Sequence, residues 1–186
     1  SSVPFARAAC HGAAQVGRFS QLCRCVLSAV WRGCFASELG CEVANLAKYN
    51  ITILDNQSVQ FDKLNIIGIS DNQAAKKQSA IAEQLTSHDM FNLLMVHQPS
   101  MWHHAPEKTD LMLSGHTHNG QIFPFNLLVR IQFRTVYGIY RRMNSSLYVS
   151  SGSGTWGPRM RLGTQNEVVQ ISISPQIKNH QTMPGQ

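Results

Sequence analysis

Acid is what this chain has least of. Its 186 residues hold 10 Asp and Glu against 16 Lys and Arg, a formal net charge of +6, and charged residues make up only 14%. With 43% hydrophobic residues this is no disordered polyelectrolyte but the composition of a globular core. The length fits one domain or part of a larger one. The positive balance favours anionic partners: phosphate esters, nucleic acid or a membrane surface. The basic residues are scattered, and no basic patch is interleaved with aromatics, which argues against nucleic acid as a partner. No apolar run reaches the roughly 18 residues that a membrane-spanning helix needs. The run Cys25-Val26-Leu27-Ser28-Ala29-Val30-Trp31 is far too short, and the compartment is left open.

Cysteine is also sparse where a framework would need it. The five, Cys10, Cys23, Cys25, Cys34 and Cys41, all lie in the first quarter. An odd number argues against a closed disulfide framework. Cys23-x-Cys25 lacks the C-x-x-C spacing of zinc and redox sites, so these read as free thiols. Residues 1–36 contain no Asp or Glu but hold Arg7, Arg18, Arg24 and Arg32. That is the composition of a mitochondrial transit peptide. The chain begins at Ser rather than Met, however, and the segment is expected to be disordered or wrongly joined, with no fold built on it.

Order begins at Ser37. Leu39, Val43, Leu46 and Ala47 have helical spacing between Glu38 and Tyr49. Ile51 to Leu54 is expected as a short strand. Ser58 to Phe61 and Leu64 to Ile69 predict a hairpin around Asp62-Lys63, with β-branched residues burying the second strand. Asp71 or Asn72 is expected to cap a helix from about Gln73 to Thr86. Phe91 to Val96, Asp110 to Ser114, Leu147 to Ser151 and Glu167 to Ile173 are predicted strands. Gln121 to Tyr140, apolar, aromatic and basic, is expected as a long excursion near a pocket mouth. Within it Phe123 to Ile131 mixes apolar bulk with a cation, as segments at a membrane surface do. The tail over residues 175–186 is polar and expected to fray. Helices alternating with strands, then a strand-rich end, indicate an α/β sandwich.

The most informative stretch is Leu111-Met112-Leu113-Ser114-Gly115-His116-Thr117-His118-Asn119-Gly120-Gln121. An apolar strand stops at a glycine, and two histidines follow one residue apart. Neutral imidazole is the commonest metal ligand, and extended residues two apart point the same way. An isolated H-x-H is as readily an exposed polar turn. The flanks change that, because Leu93-Leu94-Met95-Val96-His97-Gln98-Pro99 repeats the pattern: an apolar run, then a histidine where it ends. Ligands of open α/β sheets collect at the carboxyl ends of strands, so His97, His116 and His118 are expected to share a pocket.

These residues resemble a known family. Gly115-His116-Thr117-His118-Asn119-Gly120-Gln121, preceded by Leu93 to Pro99, is similar to the last two metal motifs of the calcineurin-like metallophosphoesterases. Ser145 to Ile173 resembles the end of one branch, which includes membrane-associated phosphodiesterases. The resemblance runs from about Ser37 to Ile173. It implies two packed mixed β-sheets flanked by helices, with residues 37–174 forming the C-terminal half of the domain. It implies hydrolysis of phosphoric mono- or diesters at two divalent ions about 3.5–4 Å apart, which activate a water. By motif matching His97 and His116 would hold one ion and His118 the other, while Asn119, Gly120 and Gln121 shape the turn. A His, Asp and Asn shell suits Mn, Fe or Zn. Guanidinium matches phosphate geometry, so Arg159 and Arg161 are candidates for substrate contact, although a surface or interstrand role is the commoner one for such residues. His103 and His104 fall outside the motifs and read as surface histidines.

The family's other motifs, D-x-H, G-D-x-x-D and G-N-H followed by an acid, are absent. No Asp stands two before a His, and no Gly-Asp pair occurs. Where G-N-H is expected, the chain reads Trp31-Arg32-Gly33-Cys34-Phe35-Ala36. No catalytic acid or Asn-His pair is therefore assigned. The expectation is the second half of a metal-dependent phosphoesterase, weakly active or inactive by itself. The alternative is a non-catalytic remnant that binds a metal or a partner.

Overall fold

The computed structural model describes residues 52–174. The expected helix between Glu38 and Tyr49, the five cysteines, the acid-free start and the tail lie outside the described residues. Residues 169–174 form part of a separate unit and carry no named helix or strand. Every named helix and strand belongs to the body that ends at Val168.

Six strands form one sheet: β1 Gln57–Phe61, β2 Leu64–Ile69, β3 Phe91–Val96, β4 Leu111–Ser114, β5 Gly138–Arg142 and β6 Ser145–Val149. Their spatial order is β1-β2-β3-β4-β6-β5. The hairpin expected around Asp62-Lys63 is present, with Phe61 paired to Leu64. Strands β2, β3, β4 and β6 run parallel to one another, and the antiparallel β1 and β5 close the two edges. The sheet is mixed α/β, as the alternation of patterns predicts. A second sheet is not among the described elements.

Parallel strands are buried on both faces and read as continuous apolar runs. Ile66, Ile67, Leu94, Met95, Met112 and Leu147 are fully buried. One face, with Ile67, Leu94, Val96, Met112 and Leu147, packs with Ala82 of helix α1 (Ala75–Leu85) and with Met101 and Trp102 of a 3-10 turn, Pro99–His104. The other face clusters Ile66, Leu93 and Met95 with Leu54, flanked by the partly buried Val59, Phe61, Leu111 and Leu113. Between β2 and β3 a polar node replaces apolar contact. Asn65 donates to Asn92 Oδ1 at 2.9 Å, and Asn92 donates to the Ser87 and Lys108 carbonyls. Buried amides of this kind require such partners.

Three expectations need correction. Helix α1 is not capped by Asp71 or Asn72. Its N-cap is Ala74, with no side-chain hydrogen bond, and Asp71 instead accepts from Gln98 Nε2 at 3.1 Å. Glu167 to Ile173 carries no named strand. Thr52 to Leu54 likewise form no strand. The excursion after Gln121 also has regular structure that the sequence pattern did not reveal: helix α2, Phe125–Gln132, and edge strand β5.

Candidate metal centre

The parallel strands β3, β4 and β6 lie side by side and end on one edge of the sheet. His97 follows β3, Gly115 to Gln121 follow β4, and Ser150 to Gly152 follow β6. Adjacent parallel strands therefore deliver all three segments to one place, the position where open α/β sheets bind ligands. A backbone bond from Gly115 N to His97 O at 3.1 Å ties the first two together.

The structure brings His97 and His116 into direct contact. His97 Nε2 lies 2.9 Å from His116 Nδ1, and the rings meet edge to face with centroids 4.7 Å apart. His97 is buried. His116 is exposed overall, yet its ring lies against His97 and against Phe133, whose centroid is 5.6 Å away. Loss of water lowers the pKa of His116, opposed by the charge of Asp71. Loss of water also lowers that of His118, helped by the Arg161 and His116 charges and opposed by a hydrogen bond to the Gly154 backbone. Both environments favour neutral imidazole, the form that ligates metals.

The turn itself is conformationally costly. His116, His118, Asn119, Gly120 and Gln121 all have positive φ, from 46° at Gln121 to 78° at Gly120. Side-chain-bearing residues rarely occupy that region, and a cluster of them persists only where the surroundings over-determine it. Thr117 Oγ1 donates to Val136 O at 2.6 Å. Gln121 bridges outward, donating to Trp156 O and accepting from Trp156 N. At Gly120 an added Cβ would stand 2.3 Å from Asn126 Cα, so glycine lets helix α2 sit directly on the turn.

Arg161 is engaged with the backbone. It donates to His118 O at 3.1 Å, to Ser151 O at 2.7 Å and to the Gly154 carbonyl, and one guanidinium nitrogen lies 3.3 Å from His118 Nδ1. Arg159 is exposed. His103 and His104 are exposed, as expected of surface histidines, although His103 borders a 250 Å³ recess shared with Phe133 and Arg134.

Two residues escaped sequence reasoning. Glu167 accepts from Ser151 N, Tyr148 OH and Tyr137 OH, each at 2.9 Å. Burial raises its carboxyl, but these hydrogen bonds and one from Ser150 outweigh it and hold the carboxyl below its ordinary value. Glu167 also borders a 610 Å³ cavity together with Asn119 and Ser151. Asp71, read as a cap, lies near enough for its charge to act on His116. The only signal for either was an acid standing near the end of a strand pattern.

The donor set fits part of a metal shell. Two imidazole nitrogens converge, and the buried Asn119 Oδ1 has no hydrogen-bond partner. Among the described residues no group of three His, Cys, Asp or Glu is placed to hold an ion.

Comparison with known proteins agrees with the strand-end motifs. The chain is 35% identical over 134 residues, 68% of its length, to an uncharacterized metallophosphoesterase of Helicobacter pylori, strain 26695. It is 31% identical over 69% of its length to an uncharacterized metallophosphoesterase of Aquifex aeolicus. Over 47% of its length it is 37% identical to a bovine transmembrane protein with metallophosphoesterase domain. These matches cover 36%, 52% and 20% of the respective relatives, so the chain spans only part of each. No family model matches the chain, and no solved structure matches it. Over the matched 68% of its length, the chain is similar to proteins named metallophosphoesterases.

Proposed function

We propose that this chain contributes the histidine half of a metal-dependent phosphoesterase centre. The observation that carries the reading is the 2.9 Å approach of His97 Nε2 to His116 Nδ1 at the ends of adjacent parallel strands. In this reading His97 and His116 hold one divalent ion and His118 helps hold a second, with Mn, Fe or Zn the metals suited to the donors. A bound ion supplies Lewis acidity, drawing charge from the phosphoryl oxygens and lowering the pKa of a water.

The chain's own residues do the positioning. The strained turn fixes the histidines, and Arg161 holds His118 from behind through its carbonyl. Arg159 is the candidate for contact with a substrate phosphate. The substrate is a phosphoric mono- or diester. The carboxylate and Asn-His motifs absent from this sequence would complete the shell from elsewhere in a longer protein. Without them the chain is weakly active or inactive. The absence of a three-donor group among the described residues favours a second reading, a metal-binding or partner-binding remnant without turnover.

The ligand assignment is testable by NMR. Adding Mn²⁺ to the chain should broaden the ring protons of His97, His116 and His118 before those of His88, His103 and His104. Uniform broadening, or none at the strand-end histidines, would remove the assignment.

A further inference from the structure

Beside the strand-end histidines lies a surface that the chemistry above does not use. Helix α2 has no buried residue. Leu127, Leu128 and Ile131 fall on one face at helical spacing, and Ile131 is 81% exposed. Phe123, just before the helix, is 56% exposed and hydrogen-bonds through its backbone to Leu162, itself 51% exposed. Trp156, on the neighbouring glycine-rich turn, is 72% exposed. Apolar surface of this extent marks an interaction site.

The charges along this stretch of sequence have one sign. Arg130 stands on the helix and Arg134 two residues past its end, and both are exposed. From Asp110 to Glu167 the chain has no acidic residue, while Arg130, Arg134, Arg141, Arg142, Arg159 and Arg161 all fall between them. We infer that helix α2 and the adjoining Phe123 dock the protein onto the surface of an anionic lipid bilayer. Such a surface is apolar below and negative above, which matches bulky side chains bordered by arginine. A second copy of the chain matches poorly, because symmetric contact would set arginines against arginines with no carboxylate between them.

The same helix touches the candidate centre at both ends. It rests on the His118–Gly120 turn, with Asn126 against Gly120, and Phe133, just past its end, packs on His116. Docking would bring that centre to the level of headgroup phosphates. This last consequence rests on the phosphoesterase reading, but the lipid contact does not.

The test is co-sedimentation of the full chain with phosphatidylcholine vesicles, with and without phosphatidylglycerol, so that no turnover is involved. The chain should pellet with the anionic vesicles and much less with the neutral ones. Arg130→Glu with Arg134→Glu should weaken binding by well over ten-fold, since each cation near an anionic surface contributes roughly five-fold. Leu128→Asp with Ile131→Asp should abolish it. Both double variants change exposed side chains, and circular dichroism would verify that they remain folded. Failure of the folded wild type to pellet would overturn the proposal, as would pelleting that neither variant changes. A dimer in light scattering that Ile131→Asp dissolves, without vesicle binding, would assign the face to self-association and also overturn it.

Discussion

Arg161 shows how far a residue's role can lie from its chemical type. A guanidinium near a phosphoesterase motif suggests phosphate contact, yet this one binds the carbonyls of His118, Ser151 and Gly154. Its bond to His118 spans 43 residues of sequence and, with those to Ser151 and Gly154, joins the histidine turn to the glycine-rich turn, a link that local patterns cannot show. Arg161→Ala should destabilise the fold by about 1.5–3 kcal/mol, the range for hydrogen bonds to charged groups. Arg161→Lys should recover only part of this, because an ammonium cannot reproduce the planar fork. Thermal unfolding of the two variants checks it, and equal stability of Lys and wild type would show that the fork geometry is unimportant. Glu167 gives a pH signature. Its carboxyl is held below its ordinary value, so the folded state binds the proton less readily than the unfolded one. The stability it contributes is therefore full above the unfolded value, near 4.5, and is lost as pH falls through the lower folded value. Glu167→Gln should lower stability at neutral pH and flatten the acid limb of the stability profile. An unchanged acid limb would show that Glu167 is not coupled to folding.

At the scale of elements, helix α2 and its seat on Gly120 are the feature to probe. Gly120 combines a φ of 78° with backbone 2.3 Å from where a Cβ would stand. Gly120→Ala must move the helix or distort the turn, and should cost more than about 1 kcal/mol through the strained conformation alone. It should also shift the resonances of both His118 and Asn126, and a variant as stable as wild type would mean the helix is not seated there. The sequence showed the neighbouring elements well. Asp62-Lys63 between apolar runs specified the β1–β2 hairpin, and Leu93 to Val96 specified a buried strand with a histidine at its end. Helix α2 was not legible because no capping side chain marks its start and its bulky residues Leu127, Leu128 and Ile131 stay exposed, so no core-facing apolar stripe identified it. Edge strand β5 alternates only between half-buried and exposed residues, which left it without an apolar signature. The strand expected after Glu167 failed because its apolar residues did not secure pairing among the described elements.

For the whole molecule, one mixed sheet explains why three histidines spread over 22 residues of sequence reach one edge. The meeting of His97 with His116 was legible, because apolar runs ending in histidine imply parallel strands ending together; among the described residues no three-donor group adds His118 to them. Asp71 and Glu167 near the same edge were not, since their placement depends on strand order and on loops that return to the sheet. The measurement that bears most directly on the metal reading is metal content by mass spectrometry after dialysis against Mn²⁺, with hydrolysis of bis(p-nitrophenyl) phosphate followed on the same samples. It should be made on the wild-type chain and on His116→Ala. The expected result is metal retained by the wild type at less than one ion per chain, lost in His116→Ala with the fold intact, and little or no turnover. Equal metal in both proteins would contradict the role of His116. Two ions with rapid turnover would contradict the half-site, because other residues would then have to replace the absent carboxylate and Asn-His motifs.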